Sequence, residues 1–424
     1  MARDPSPRYD DAQGQEPLMH ALTEPMQGDR VSGKGLSLGL RLLLYMLRGL
    51  RVGSLSVELP DGSRREFEGS ITGPHGVMQV RRADLVGHVM RGGEVGFGEA
   101  YMAGCWDSPD LTTLLRVLYR NEPHFRGPYD KNLLGRMVGA LQHRLRLSKS
   151  RARDNIAHHY DLGNSFYRQW LDGTMAYSSA VFATSEQSLE AAQIEKFRRL
   201  AERLELRPEH HMLEIGCGWG GFAIWCAQRY GCRVTGLTLS TEQLEEAQAR
   251  AEAAGVADRV SFRLEDYRDH DGVYDRIASI EMYEAVGERH WPGYFQAVHD
   301  ALVPGGRAAI QGITLAPEIF DSYRRKRDFI QKYIFPGGML CPPEHFRALA
   351  AEAGLESSDA RFFADDYART LAIWHRNVMA CADRVTEQFD ARFLRMWRYY
   401  LAYCECGFLT GSIDLMQITL QRRA

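Results

Sequence analysis

The stretch Leu213-Glu-Ile-Gly-Cys-Gly-Trp-Gly-Gly221 carries the strongest fold signal in this 424-residue chain. An apolar run ends near Glu214, alternating glycines follow from Gly216, and an apolar helix pattern begins at Phe222. Glycines permit the sharp turn and let a ligand approach backbone amides at a helix N-terminus. The segment therefore predicts the first strand, turn and helix of a nucleotide-binding α/β fold.

The second strand indicates which nucleotide this turn holds. A dinucleotide site has a carboxylate at the end of that strand, about 20 residues after the glycines. Here the strand reads Arg233-Val-Thr-Gly-Leu-Thr-Leu-Ser240 and ends in hydroxyls, whereas the acid, Glu214, precedes the first glycine. This arrangement favours S-adenosylmethionine (SAM), and a generic Rossmann-type nucleotide site is the alternative.

Helix and strand patterns alternate from about residue 156 to the C-terminus, as a doubly wound parallel sheet requires. Strands are predicted at Met212–Ile215, Arg233–Ser240, Val260–Leu264, Tyr274–Ile280 and Arg307–Ile313. A strong helix pattern follows the second strand, with Thr241 as its predicted cap. The predicted fold class is α/β, a Rossmann-like doubly wound domain over residues 156–424.

The chain is longer than most single domains, so a second domain is expected. Residues 1–34 are polar and contain several prolines, which predicts a disordered tail. Residues 35–125 carry the pattern of a small α+β domain. Residues 126–155 read as a basic linker, with six Lys or Arg residues against one acid between 133 and 155. Its charge suits either a solvated helix face or anionic lipid headgroups.

Charge and cysteine usage narrow the classes of partner. The net charge of −3 gives no reason to expect a nucleic-acid partner. The eight cysteines lack paired metal spacing, so we predict no metal site and reduced thiols in a cytoplasmic protein. No run of 18 apolar residues is present that would span a membrane.

Ligands of open parallel sheets bind beyond the carboxyl ends of the strands. In the predicted strand order, one crevice at these ends is lined by Glu214, Thr238, Asp266–Tyr267, Glu281–Glu284 and Gln311.

Five motifs follow one another along the chain: His159-Tyr-Asp-Leu-Gly-Asn164, Tyr177-Ser-Ser-Ala-Val-Phe182, the glycine turn, Leu237-Thr-Leu-Ser240 and Tyr333-Ile-Phe-Pro-Gly-Gly338. Together they resemble the cyclopropane-fatty-acyl-phospholipid synthase family, with its mycolic acid cyclopropane synthases and other fatty-acid C-methyltransferases. The resemblance extends from about residue 101 to the C-terminus. Residues 35–125 look like the family's smaller lipid-engaging domain.

The resemblance implies SAM-dependent transfer of a methylene or methyl group to the double bond of an unsaturated acyl chain. It places Gly216 and Gly218 beside the methionine part of SAM, and Tyr177 and Ser178 over it. The full implied cofactor set is Tyr177, Ser178, Glu214, Gly216, Cys217, Gly218, Trp219, Gly220, Thr238, Leu239, Ser240, Gln243, Asp266 and Tyr267. Within this set, Cys217 is interpreted as structural.

The family holds a bicarbonate that is thought to remove a proton from the new methyl group. The resemblance places Glu284, Tyr367, Gln311, Ser179 and Ile313 at this anion site. Ser179 stands where cyclopropane synthases have a cysteine, and Gln311 where they have a histidine. Both can donate hydrogen bonds to an anion, but neither supplies the charge of a protonated histidine. Bicarbonate is therefore doubtful here, though not excluded.

Glu281 stands where ring-forming members usually carry a small residue. Three positions from Glu284, it would share a helical face with it, and two carboxylates in an apolar cleft repel each other. Such a pair could replace bicarbonate as general base. The alternative is that Glu281 only accepts hydrogen bonds from its neighbours. Cys404 aligns with a cysteine often regarded as catalytic in the family, and we interpret it as a packing residue.

The expected substrate is an unsaturated phospholipid at the inner membrane surface, where this cytoplasmic enzyme would bind peripherally. A homodimer and a downstream lipid redox enzyme are further expected partners. Cyclopropane is the first choice of product, and a methyl- or methylene-branched chain is the alternative. Two other classes stay open at this point: a non-catalytic SAM- or lipid-binding homologue, and a methyltransferase of small molecules.

Overall fold

The computed structural model describes residues 36–125 and 162–424. The predicted tail 1–34 and basic linker 126–155 lie outside the described residues.

A seven-stranded sheet forms the larger unit, in the order β10-β11-β9-β8-β5-β6-β7. Its strands are β5 (His211–Ile215), β6 (Arg233–Thr238), β7 (Val260–Leu264), β8 (Tyr274–Ile280), β9 (Leu302–Leu315), β10 (Leu355–Phe362) and β11 (Ile413–Arg422). The pairs from β7 to β9 are parallel, and β11 is antiparallel to both β9 and β10. The chain reverses its strand order between β5 and β8, and ligands of such sheets bind at that switch point.

Helices pack against this sheet. They are α4 (Asn164–Tyr167), α5 (Leu189–Arg203), α6 (Gly221–Tyr230), α7 (Thr241–Ala253), α8 (Trp291–Asp300), α9 (Pro317–Tyr323), α10 (Phe329–Tyr333), α11 (Pro343–Glu352), α12 (Ala364–Ala380), α13 (Ala382–Gln388) and α14 (Ala391–Thr410). Among the described residues, no helix is both long and apolar enough to cross a bilayer.

The smaller unit has a four-stranded sheet in the order β2-β1-β3-β4. Its elements are α1 (Leu38–Leu47), β1 (Val52–Glu58), β2 (Arg64–Glu68), β3 (Ile71–Val80), α2 (Leu85–Met102), β4 (Trp106–Asp107) and α3 (Leu111–Phe125). β1 pairs antiparallel with β2 and parallel with β3.

One hydrophobic cluster joins the small unit to the C-terminal helices. It includes Leu114 of α3, Tyr101 of α2 and Trp397 of α14, all with almost no exposed surface. Arg395 of α14 donates to the backbone oxygens of Tyr101 and Trp106 and pairs with Asp107. The small unit therefore packs on α14, and its core continues into the larger unit.

The predicted strands of the larger domain are all present. β7 and β8 have the predicted bounds, whereas β9 begins five residues earlier than expected, at Leu302. The predicted cap of α7 was wrong. The Ser240 hydroxyl accepts the Gln243 N–H, and Thr241 is the first helical residue. Serine and threonine both cap helices well, so the sequence alone could not show which of these two neighbouring residues is the cap.

Candidate active site

The glycine turn between β5 and α6 adopts a backbone that glycine alone takes without strain. Gly216, Gly218 and Gly220 have φ values of 82°, 52° and 76°. A Cβ on Gly220 would lie 2.5 Å from the Phe262 ring, so that glycine serves close packing. A Cβ on Gly218 would meet nothing within 4 Å, so the backbone there faces open space. Gly218 is thus the point where a ligand can approach the turn, as a cofactor requires.

Glu214, the next-to-last residue of β5, has an enclosed carboxyl group. The residue is 3% exposed, and its Oε2 has no hydrogen-bond partner among the described residues. Burial raises its pKa to about 8, against the attraction of Lys196. A buried unpaired oxygen at this position is suited to accept from a ligand ammonium group, such as the one that SAM carries.

The residues at the end of β6 and just after it form a hydrogen-bonded polar corner. The Thr238 hydroxyl donates to Gln243 Oε1 at 2.8 Å and accepts the Ser240 N–H at 3.1 Å. Leu239 is half-buried beside them. This corner places hydroxyl and amide groups at the strand end where the ribose and adenine were predicted.

The remaining predicted cofactor residues have partners of their own. Trp219 is buried and its indole N–H donates to Asn164 Oδ1 at 2.6 Å, which ties the turn to α4. Asp266 is buried and forms an ion pair with Arg268. Burial raises the pKa of the Cys217 thiol well above its usual value, which suits the structural role predicted for it. Tyr267 packs against Tyr294 with ring centroids 5.7 Å apart.

Glu281 lies at the centre of the predicted anion site. Its Oε1 accepts the Ser179 backbone N–H and the Gln311 side-chain amide, both at 2.8 Å, and its Oε2 accepts the Tyr367 hydroxyl at 2.5 Å. Burial raises the pKa of Glu281, while the Tyr367 hydroxyl and the charge of Lys196 oppose this shift. Three positions that the resemblance assigns to an anion therefore all donate to a carboxylate of the chain itself.

Glu284 lies beside this carboxylate but has a different environment. Its Oε1 accepts the Ile313 backbone N–H at 2.5 Å, and its Oε2 is buried without a partner among the described residues. Burial, followed by repulsion from Glu281, raises the pKa of Glu284 to about 8. At neutral pH Glu284 is therefore mainly the protonated acid, and Glu281, with its three donors, carries the charge.

The expectation that Glu281 and Glu284 share a helical face was wrong. A 3₁₀ turn covers Tyr283–Val286, and Glu281 precedes it with a left-handed φ of 51°. Such a backbone costs a non-glycine residue of the order of 1–3 kcal/mol and is concentrated at functional sites. The two carboxylates approach each other because the chain bends sharply at the end of β8.

Aromatic rings pack closely around the Glu281–Tyr367 pair. The Tyr177 hydroxyl lies 2.8 Å from that of Tyr400, and the Tyr177 ring packs at 5.4 Å on Trp374. Tyr367 stacks on Phe408 at 4.3 Å. This largely buried cluster makes the surroundings of Glu281 apolar, and ring faces attract a nearby cation.

Cys404 of α14 is half-buried in the same apolar cluster. Burial raises the pKa of its thiol, so it is a poor nucleophile at neutral pH. This property is consistent with the packing role that we assigned to it.

Two polar residues of the site were not predicted. Lys196 of α5 is fully buried, and its ammonium donates to Ser178 Oγ at 2.7 Å. Gln417 of β11 is also buried, and its amide donates to Gln311 Oε1 at 2.8 Å, which fixes the orientation of the Gln311 amide. Neither lies in a motif with a recognised spacing; the only signal was a lysine or glutamine within an otherwise apolar periodic pattern.

One group of potential metal ligands occurs in the described residues. Donor atoms of Asp84, His88 and Cys105 lie within 4.8 Å of one another in the small unit. Asp84 also pairs with Arg82. None of the three belongs to the predicted site.

Comparison with known proteins identifies the family of the chain. The sequence model of the family described as mycolic acid cyclopropane synthetase matches residues 147–418. The chain belongs to this family. It is 40% identical to the tuberculostearic acid methyltransferase UfaA1 of Mycobacterium tuberculosis, covering 81% of this chain and 82% of that protein. It is 35% identical to cyclopropane-fatty-acyl-phospholipid synthase of Escherichia coli K12, covering 81% and 87%.

Solved structures show the same family fold. The cyclopropane synthase MmaA2 from Mycobacterium tuberculosis has a TM-score of 0.60 at 29% identity, covering 64% of this chain and 98% of that one. Mycolic acid cyclopropane synthase CmaA1, complexed with S-adenosylhomocysteine (SAH), gives 0.61 at the same identity and coverage. The chain is therefore a SAM-dependent methyltransferase of the lipid-modifying kind, and its larger domain is Rossmann-like.

Proposed function

We propose that this enzyme methylates the double bond of an unsaturated fatty acyl chain of a membrane phospholipid and that Glu281 takes up the released proton in place of bicarbonate. The product of the proposed reaction is a methylene-branched chain. The observation that carries the proposal is the Glu281 carboxylate, which accepts from Ser179, Gln311 and Tyr367 at once.

The hydrogen bonds around Glu281 support its role as the base. An external anion at this point would need the donors that Glu281 already engages, and its charge would be repelled by the carboxylate. A carboxylate with three donors is a weak base, but a carbocation is a very strong acid, so weak basicity is sufficient. Preorganised donors also hold the carboxylate in place during the reaction.

The proposed reaction transfers one methyl group to the double bond and releases one proton. SAM supplies an electrophilic methyl group. The double bond of the acyl chain provides the electron pair for the new C–C bond, which leaves a cation on the neighbouring carbon. A hydride shift from the methyl-bearing carbon moves the cation to that carbon. Glu281 then accepts a proton from the methyl group, and the electron pair of that C–H bond forms the C=CH₂ double bond of the methylene branch. The lipid gains one CH₂ overall.

The surroundings of Glu281 support an acyl chain as the substrate. Tyr177, Trp374 and Phe408 belong to a largely buried aromatic cluster around Tyr367, which donates to Glu281. Such an apolar setting suits an alkyl chain, and ring faces stabilise a nearby cation. UfaA1, at 40% identity, is named a tuberculostearic acid methyltransferase and not a cyclopropane synthase. Conversion of the methylene branch to a methyl branch would need a reductant, which makes a lipid redox enzyme the expected partner.

The proposed phospholipid substrate calls for access to a membrane surface. The basic residues Arg144, Arg146 and Lys149, which lie outside the described residues, would attract anionic headgroups. The small unit, packed on α14, would present the acyl chain to the site.

The test is product analysis after reaction of SAM carrying a CD₃ group with monounsaturated phospholipid vesicles. The proposal expects a gain of one CH₂ equivalent with two deuteriums retained. The NMR spectrum should then show the carbon signals of a C=CD₂ branch on the acyl chain. A cyclopropane signal would assign ring formation instead. Retention of all three deuteriums would mean that the proton leaves from a chain carbon. Either result overturns the proposed product, and turnover on a soluble acceptor but not on vesicles overturns the substrate.

A further inference from the structure

Lys196 is a buried cation at the edge of the site, and the methyl-transfer chemistry itself does not call for it. Its side chain has no exposed surface. Among the described residues, its ammonium has a single hydrogen-bond partner, Ser178 Oγ at 2.7 Å. Burying an ammonium with so few partners is unfavourable unless nearby negative charge offsets it. The carboxyl groups near Lys196 are the groups that can supply this negative charge.

Lys196 is joined to Glu281 through one short segment of backbone. Ser178 accepts from Lys196 with its hydroxyl and from the amide of Gln193 with its carbonyl oxygen, at 2.9 Å. Gln193 and Lys196 are three residues apart on α5 and so lie on the same face. The next residue, Ser179, donates its N–H to Glu281. α5 thus holds Ser178 in place, and with it the neighbouring Ser179 N–H that orients the Glu281 carboxylate.

The ionisable groups that act on Lys196 are all carboxyl groups. Burial lowers the pKa of Lys196 to about 8, and Glu281, Asp172 and Glu214 oppose this shift, in that order. The ammonium therefore stays mostly charged at neutral pH. Glu281 in turn faces Lys196 from α5, Tyr367 from α12 and Glu284 from the 3₁₀ turn. Of these groups, only Lys196 brings a positive charge.

We propose that Lys196 is a positioning residue for the reaction, which fixes the Ser178–Ser179 segment and supplies the positive charge that offsets the Glu281 carboxylate. The inference rests on the proposed function of Glu281. Lys196 acts through Ser179 and through its electric field, and it does not touch the substrate.

The sign of the pH effect follows from this role. Turnover requires ionised Glu281, so the rate falls as the pH drops through the pKa of Glu281. A nearby cation lowers that pKa, and its removal raises it. Loss of the Lys196 charge therefore moves the acidic limb of the kcat profile to higher pH. A purely structural role would lower the rate by the same factor at every pH.

The experiment compares kcat between pH 5.5 and 9 for the wild type, K196M, K196R and S178A. Methionine matches the length of the stem, and replacing a buried charge by an apolar side chain is often tolerated. K196M should move the acidic limb to higher pH by about one unit. At pH values below the limb, its kcat should therefore fall by about a further tenfold relative to the wild type. S178A keeps the charge and loses the hydrogen bond, so it should lower the plateau and leave the limb in place. K196R should also leave the limb in place.

Control measurements separate the possible failures. SAM affinity and thermal melting of each variant show whether the fold and the cofactor site persist, and Q193L serves as a matched uncharged change on the same helix face. An unshifted limb in K196M, or a shifted limb in S178A, overturns the role of Lys196. If E281Q is inactive in the same assays, only the Lys196 inference has failed. If E281Q turns over at the wild-type rate, the proposed function itself is wrong.

Discussion

Glu281 combines a left-handed backbone, a desolvated carboxylate and three donors directed at that carboxylate. Each of the first two features is unfavourable for folding. Local strain of this kind persists only where the surrounding structure enforces it. The donors from Ser179, Gln311 and Tyr367 provide that enforcement, which is why we assign the residue a role in proton removal.

The charge of Glu281 can be removed with little change in shape. In Glu281→Gln the amide oxygen keeps the bonds from Ser179 and Gln311, and the amide N–H can donate to the Tyr367 oxygen. We expect kcat to fall by about 10²–10⁴-fold, the usual contribution of a general base, with SAM affinity nearly unchanged. Glu284→Gln is the matched control. Because Glu284 is mainly the neutral acid, its amide should retain far more activity. Equal losses in the two variants would contradict the assignment.

Glu284 should also make stability depend on pH. Its pKa is raised to about 8 in the folded protein from a usual value of 4.5. The folded state thus holds a proton that the unfolded state has released, and stability falls as pH rises through this window. Glu284→Gln abolishes that loss, so its Tm gain over the wild type should be larger at pH 8 than at pH 5. In a chain of this length, each kcal/mol recovered is worth about 1 °C.

Calorimetry at the two pH values measures this difference directly. A Tm gain for Glu284→Gln that is the same at both values would show that Glu284 titrates normally in the folded protein.

At the scale of single residues, sequence reasoning found the positions of the site but not their connections. The motifs pointed to Ser179, Gln311, Glu284 and Tyr367, and the structure brings these four around Glu281. The motifs did not predict the left-handed turn at Glu281. A positive φ in a non-glycine residue depends on tertiary contacts, and no local propensity announces it.

At the scale of elements, the glycine turn between β5 and α6 requires glycine for cofactor binding, and this requirement can be tested directly. Gly218→Val should abolish SAM binding, because a branched side chain would enter the open space in front of the turn and strain a φ of 52°. Gly255→Val is a matched control, since Gly255 also has a positive φ, 69°, and open space around its Cβ. Calorimetric titration with SAM should show loss of binding in the first variant only. Loss in both would trace the effect to backbone strain.

Periodicity was a good guide to the parallel strands and a poor one to the C-terminal third. β7 and β8 are short apolar runs between clear turns, and their bounds could be read directly. β10 has an exposed, polar sequence, Leu355–Phe362, and is a strand only because β11 pairs with it. Pairing between segments 50 or more residues apart leaves no local pattern, so this antiparallel edge was not predicted.

At the scale of the whole molecule, the small unit and the C-terminal helices should unfold together. Asp107 of β4 accepts from Arg395 and from Arg398 of α14. Asp107→Ala leaves two partly buried guanidinium groups without this carboxylate, which should lower stability by about 1–3 kcal/mol. Differential scanning calorimetry should show one transition at a lower Tm. A split into two transitions would show that the two units are held together mainly by this ion pair, and not by the shared apolar core.

The central claim is that the chain provides its own base, and the dependence of turnover on bicarbonate tests it most directly. The measurement is the rate of methyl transfer to phospholipid vesicles in buffer stripped of carbon dioxide, with and without added bicarbonate, for the wild type and for Glu281→Gly. Glycine relieves the φ of 51° and opens the space that the carboxylate fills. We predict that the wild-type rate is unaffected by bicarbonate, whereas the Glu281→Gly variant is inactive until bicarbonate is added. A wild-type rate that collapses without bicarbonate and returns with it would contradict the account.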